Sequence, residues 1–546
     1  MVVLLVALVS MPAGWVSGAE GLKTAPAPEP GGIVPPPAEG GMKALASAPG
    51  TWYVGATPPN VDKSKPPIVF VQGLHGTADS WWGDTRYYGH NDMYEIAYRN
   101  GYRTAFVELH DSSGEAADMW DNGALLAGML EKIHRYFGER VNIVAHSKGG
   151  VDAQAALIHS GAYPHAGRVI TLGPPHRGSH LADLAHSWWA GWLAELLGVR
   201  DAGTESMQTG AMEHFRSVTD SHKNVGKNGY YTAAGTDWGP FPSALWTGGA
   251  CLAPYGDNDG LVNVWSTPLS YGEHLFTADF DHDQLRMGST VFPRIQSTLK
   301  STAITKGVSA MKEVAAAAAR PEKDQPQQVV RGKDLLAGKT SEEVIHVESE
   351  SEEAIFNVMT ESPDVKVRLI SPSGTVYNEG SPDFYRAGDE PDIFRGASVR
   401  GFRFAGPEAG EWKVRLDPEK DGAYLLTATF PGTKDLRVEV QTPGRAGEEV
   451  PVRVNLPHGW KAKPDEVKVR LVPPRTRGKK FPAQMGIFEK NLDPGGGERT
   501  SFAGRLPKLK EPGVYNLTVD LRGGNDRGEP FQRTVIRSFH VPDPKS

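Results

Sequence analysis

Residues 141–161 read VNIVAHSKGGVDAQAALIHSG, and no other stretch constrains the fold as strongly. VNIV is an apolar, β-branched run of strand type, and GGVDAQAALIH carries helical spacing. Between them stands Ala145-His146-Ser147-Lys148-Gly149-Gly150. A strand that turns into a helix over so few residues places the serine on a sharp, strained turn with its hydroxyl clear of the sheet. Small residues at 145, 149 and 150 let neighbouring backbone approach. The first N–H groups of the helix have no intrahelical partner and point toward a group held above the serine. Ser147 is therefore a candidate nucleophile.

The surroundings fit that turn. PPIVFVQG (66–73) and RVITLG (168–173) are further buried-strand patterns, and ALLAGMLEKIHRYFG (124–138) is helical. Strands alternating with helices predict an α/β fold, a mainly parallel sheet covered by helices on both faces. Hydrophobic residues make up 39% of the chain and charged residues 23%, which is a globular balance. Lys plus Arg number 58 against 65 Asp plus Glu, a net charge of −7, so nucleic acid is not an expected partner. The single cysteine, Cys251, excludes an intrachain disulfide and Cys-rich zinc sites, and it reads as a buried small hydrophobe.

The flanks differ in texture. VVLLVALV (2–9), followed by Ser17-Gly18-Ala19, reads as a signal peptide over 1–19, although no Lys or Arg precedes the apolar run. The mature chain is expected to be exported, secreted or held at the cell surface. Residues 20–60 form a Pro/Gly/Ala-rich linker and 61–303 the catalytic domain. Residues 304–343 contain a helix (KGVSAMKEVAAAAAR, 306–320) and a second linker. Short alternating strands with turn signals then predict two β-sandwich domains, at 344–431 and 432–546, the second Ig-like. No ligand for these β domains is legible. Asn516-Leu517-Thr518 matches a glycosylation sequon but sits inside an alternating strand, so it reads as structural.

After an elbow of this kind a triad runs Ser, then Asp or Glu, then His. Tyr255-Gly256-Asp257-Asn258-Asp259-Gly260 supplies the acid, with Asp259 preferred over Asp257. The base is His274 or His282. His274 lies in a strand-like stretch, EHLFTAD, and His282 lies in a loop, DFDHDQ, so His282 is preferred. Asp259 would fix the tautomer of His282 and stabilise its imidazolium. An imidazole base of ordinary pKa, about 6.5, loses activity on acidification.

AHSKGG, NDGLV with a following loop histidine, and LGPPHRGS (172–179), in this order, resemble the bacterial triacylglycerol lipases of the α/β-hydrolase superfamily. The likeness covers residues 66–300. It implies a lipase or esterase acting on lipid or other esters through an acyl-enzyme, without a cofactor. Within VFVQGLHGTADSWWG, Gly73-Leu74 resembles the family's His-Gly-x turn, with Gln72 in place of His. By that match the backbone N–H groups of Leu74 and Lys148 form the oxyanion hole. Some family members hold a structural Ca²⁺ through an Asp two residues after the catalytic His. Here Asp283 follows by one, which leaves such a site weakly supported and no metal ligand assigned. HLADLAHSWWAGWLAELLG (180–198) carries Trp188 and Trp192 on an apolar stripe. It reads equally as a lid at a lipid–water interface or as a helix packed on the sheet. Trp81, beside Trp82, lines an acyl pocket or fills the core. Carboxylesterase, polyester depolymerase, phospholipase and acyltransferase share this chemistry. A protein acting by surface binding through its β domains is the reading of another class.

Overall fold

The computed structural model describes residues 32–34, 48–114, 116–197, 200–304, 327–389, 394–431, 436–474, 488–491 and 497–543. The proposed signal peptide and the helix expected at 306–320 lie outside the described residues. Eight strands form one sheet: β1 (Gly32–Val34), β2 (Trp52–Gly55), β3 (Ile68–Val71), β4 (Thr104–Val107), β5 (Val141–His146), β6 (Ala166–Leu172), β7 (Gly229–Gly235) and β8 (Glu273–Ala278). Their order is β1-β2-β4-β3-β5-β6-β7-β8. Strands β4, β3, β5, β6, β7 and β8 are parallel, and β2 pairs antiparallel with β4. The expectation of a linker over 20–60 is thereby corrected. GIV and WYVG within it carry enough apolar surface to extend the sheet edge.

The nine α-helices among the described residues are α1 (Met93–Arg99), α2 (Met119–Phe137), α3 (Lys148–Gln154), α4 (His180–Ala185), α5 (Gly191–Leu197), α6 (Ala202–Ser206), α7 (Thr209–Thr219), α8 (Ala244–Leu252) and α9 (Gly288–Leu299). Side chains alternate across a strand, so each central strand feeds two cores. Phe70, Phe106, Val144 and Ile170 pack with Tyr94 of α1 and Val291, Phe292 and Ile295 of α9. Val69, Val71, Ile143 and Ala145 face the other way, onto Leu126, Met129 and Leu130 of α2 and Ala153 of α3. Helix α2 starts with Asp118 accepting from the N–H groups of Trp120 and Asp121. It ends at Gly138, whose φ of 73° suits glycine.

Sixteen further strands build two antiparallel sandwiches. The first holds β9 (Gln328–Leu335), β10 (Ser341–Val347), β11 (Glu353–Thr360), β12 (Lys366–Ile370), β13 (Val376–Tyr377), β14 (Phe384–Asp389), β15 (Ser398–Ala405), β16 (Gly410–Asp417) and β17 (Gly422–Thr429). Its sheets run β10-β16-β12-β13 and β14-β15-β11-β17-β9. The second holds β18 (Arg437–Val440), β19 (Val450–Asn455), β20 (Val467–Val472), β21 (Phe488–Asn491), β22 (Ser501–Leu506), β23 (Gly513–Gly524) and β24 (Pro530–Val541). Its sheets run β18-β19-β22 and β21-β20-β23-β24. The first sandwich begins at β9, sixteen residues before the expected boundary at 344, because QVVRGKDL pairs along β17.

The two halves of the molecule share a core. Ala354, Phe356 and Val358 of β11 point into the first sandwich. Ile355 and Met359, on the opposite face, join Leu181, Leu184, Leu193, Leu245 and Leu252 of the catalytic half. Each such side chain is worth about 1.5–3 kcal/mol when fully buried. Trp189 donates its indole N–H to Asp520 at 3.1 Å. Ser538 bonds Asp183 at 2.6 Å, and Asn516 donates to the Asp183 carbonyl at 2.8 Å. The sequon asparagine thus lies buried in this interface. Cys251 is buried there too, 3.6 Å from the Thr427 hydroxyl. Helix α5 packs against β9 and β17. It is neither an exposed lid nor a helix on the parallel sheet. No helix among the described residues is long and apolar enough to cross a membrane.

Candidate active site

Strand β5 ends at His146 and α3 begins at Lys148, leaving Ser147 alone at the turn with φ 53° and ψ −131°. Ser147 and His75 are the two non-glycine residues with positive φ among the described residues. Such a conformation costs about 1–3 kcal/mol and persists only where neighbours hold it. The neighbours do. A Cβ on Gly73 would stand 2.9 Å from the Ser147 Cβ, and one on Gly149 would overlap the Gln72 carbonyl. The glycines at 73 and 149 thus let the loop after β3 and the elbow after β5 lie in contact.

Across the sheet end, Asp259 and His282 meet. His282 Nδ1 lies 2.8 Å from Asp259 Oδ2, and the His282 N–H donates to the Asp259 carbonyl at 2.8 Å. A carboxylate only accepts, so Nδ1 carries the proton and Nε2 is left as the acceptor. Asp259 Oδ1 accepts from the N–H groups of Leu261 (3.0 Å) and Val262 (2.7 Å), which fixes its plane. Ser147, His282, Leu74, Lys148 and Trp81 line one cavity of about 440 Å³. That is the size range of small-molecule and acyl pockets. Trp81 also packs against Phe70, with ring centroids 4.9 Å apart, and is almost fully buried, so it is both pocket wall and core. His274 instead bonds Thr232 and Thr277, outside the cavity wall.

Trp188 and Trp192 do not line this cavity, which corrects their expected substrate role. They stack edge to face on each other at 4.9 Å, where α5 is drawn toward the first sandwich. From that side the cavity instead receives Arg395, whose guanidinium donates to the Gly114 carbonyl at 3.3 Å.

Several supporting side-chain roles were not read from the sequence. His146 is buried and donates Nε2–H to the His282 carbonyl at 2.9 Å. Burial, then the neighbouring His282 and Arg286, holds its pKa well below the ordinary value, so it stays neutral. Lys148, fully buried, places Nζ 2.9–3.0 Å from both Asp152 oxygens and 3.6 Å from Asp111. Asn122 of α2 donates to both Asp111 and Asp152. Burial works against the Lys148 charge, but Asp111 and Asp152 outweigh it and raise its pKa. Burial foremost pushes Asp152 up to about 7. The signal for this network was a lysine directly after the serine. Asp152 lies one turn further along α3, but Asp111 and Asn122 stand on other segments that no local pattern joins to it.

Among the described residues no group of three or more His, Cys, Asp or Glu side chains is placed to hold a metal ion. Asp283 is taken by Arg286 at 2.6 Å and by the Arg86 N–H at 3.0 Å. Asp281 accepts from the Gln284 N–H at 2.7 Å and from Tyr88. The carboxylates flanking His282 thus accept from protein donors.

The fold as a whole is matched in a solved structure. Bacillus licheniformis lipase BlEst2 in its propeptide form is 33% identical, with a TM-score of 0.71, over 91% of this chain and 98% of that one. The chain belongs to the α/β-hydrolase lipases. This is a family of ester hydrolases. Triacylglycerol lipases of Pseudarthrobacter phenanthrenivorans and Burkholderia plantarii are each 30% identical over 129 residues, 21% of this chain. Those matches cover 35% and 31% of the relatives, so the chain spans about a third of their length. No family model matches the chain.

Proposed function

We propose that the chain hydrolyses carboxylic esters of lipids, triacylglycerols among them, through Ser147, His282 and Asp259. The observation that carries this is the His282–Asp259 pair opening on the same cavity as a strained Ser147. Ser147 Oγ attacks the ester carbonyl while His282 Nε2 takes its proton. The tetrahedral oxyanion accepts from the Leu74 and Lys148 N–H groups, each worth about 3 kcal/mol in the transition state. Collapse releases the alcohol, protonated by His282. Water, deprotonated by the same nitrogen, then hydrolyses the acyl-enzyme. Hydrolysis of p-nitrophenyl esters of graded chain length, in wild type and Ser147→Ala, tests this. Turnover that vanishes in the variant and favours long chains supports the lipase reading. Short-chain preference points to an esterase with the same triad. No turnover of any ester overturns it.

The β sandwiches act as a covering pro-region rather than as independent binding modules. The shared hydrophobic core and the place of Arg395 in the cavity wall support this, and the related Bacillus lipase is described in a propeptide form. A protease site introduced within 305–326 tests it: cleavage is expected to raise activity on long-chain esters, and unchanged activity after complete release contradicts it. Residues 1–19 direct export, and the N-terminal sequence of the mature protein tests that reading.

A further inference from the structure

A second histidine–carboxylate pair reaches the cavity wall at His75. His75 Nε2 lies 2.8 Å from Asp201 Oδ2, with both side chains more than nine-tenths buried. We infer that His75 and Asp201 are positioning residues for the oxyanion hole, tying the loop that carries Leu74 to helix α6. This rests on the hydrolase reading above and names what holds one of its two donors.

Leu74 and His75 sit within a tight turn closed by the Gly76 N–H on the Gly73 carbonyl at 3.1 Å. His75 holds φ 55°, a conformation that a non-glycine residue keeps only under restraint. The restraint is Asp201. Its Oδ2 also accepts from the Ala116 N–H at 3.1 Å, and its Oδ1 caps α6 through the Thr204 N–H at 2.7 Å. Burial works against the Asp201 charge, but His75 and these N–H groups outweigh it and hold its pKa below the ordinary carboxylate value. It is therefore ionised at neutral pH and His75 donates Nε2–H. Helix α6 also seats directly on the loop, since a Cβ on Gly203 would stand 3.0 Å from Leu74 Cδ1. One carboxylate thus fixes the oxyanion loop, the segment at Ala116 and the start of α6.

The two pairs differ in tautomer. His282 turns Nδ1 to its carboxylate and leaves Nε2 for the reaction. His75 spends Nε2 on its carboxylate, and its Nδ1 is buried. His75 therefore holds backbone in place while His282 moves the proton.

The test is steady-state kinetics of the full chain carrying His75→Leu, His75→Gln or Asp201→Asn, with Ser147→Ala in parallel and a trifluoromethyl ketone as tetrahedral-adduct probe. In His75→Leu, kcat is expected to fall roughly 10- to 100-fold with KM changed less than threefold. Ketone affinity should fall in proportion to kcat/KM. His75→Gln, whose amide can donate to Asp201, should recover most of the loss. Should His75→Leu fail to fold, Asp201→Asn, which keeps the α6 cap, is expected to show the same split at about tenfold. Unchanged kcat in a folded variant, or a fall in kcat without weaker ketone binding, overturns the positioning role while Ser147→Ala remains inactive. Hydrolysis that survives Ser147→Ala overturns the hydrolase reading and the positioning role with it.

Discussion

Ser147 is a strained residue held by its neighbours, so the site is sensitive to atoms that never touch substrate. Gly173 shows this most clearly. It follows β6 with φ 58°, and a Cβ there would stand 2.9 Å from Asp259 Oδ2 and 3.2 Å from His282 Nδ1. Gly173→Ala is therefore expected to push the acid and base apart and lower kcat/KM about 100-fold. Its stability should fall by about 1 kcal/mol or somewhat more, from the positive φ. Kinetics beside thermal melting separates the two effects. Lys148 gives the complementary case. Lys148→Met leaves Asp111 and Asp152 buried without their cation and is expected to cost about 3–5 kcal/mol by chemical denaturation. Lys148→Met with Asp152→Asn should restore part of that loss.

Elements in this chain record their burial in their sequences, but not what buries them. The elbow, β3, β5, β6 and α2 were legible because each is a local pattern, strand or helix period bounded by glycine. Asp259 and His282 were legible from chain order and loop context. The His75–Asp201 and Lys148–Asp111 contacts were not, since they join residues brought together by tertiary packing alone. Strands β11 and β17 lie between. AIFNVMT and YLLTAT are apolar on both faces, which marks a sheet covered twice, yet nothing local names the catalytic half as the second cover.

Strand β24 carries a titrating contact with α7. His540 stacks on His214 at 3.7 Å, and burial, then His214, lowers the His540 pKa to about 4. A histidine whose folded pKa lies below its unfolded value stabilises above about pH 6.5 and loses that contribution as pH falls toward 4. Thermal melting at pH 7 and pH 4.5 should show a smaller acid-induced drop in His214→Phe/His540→Phe than in wild type.

The whole molecule is a hydrolase whose α4, α5 and α8 face is covered by its own C-terminal half. The common core of Leu181, Leu193, Leu245, Ile355, Leu425 and Ile536 has no counterpart in a detached catalytic domain. A chain ending at residue 304 is therefore expected to expose that face, to bind a hydrophobic dye and to partition onto phosphatidylcholine vesicles more strongly than the full chain. Equal dye and vesicle binding by both would show that the face closes in some other way.

Ser147, activated by His282 and Asp259, is the proposed nucleophile. The most direct measurement is peptide-mapping mass spectrometry of the full chain after a short exposure to a fluorophosphonate, with ester hydrolysis followed in the same samples. One adduct on Ser147, formed in step with the loss of hydrolysis and slowed at least 100-fold in His282→Ala, is the expected result. Hydrolysis that is lost with the adduct on another residue, or that persists after Ser147 is fully modified, would contradict it.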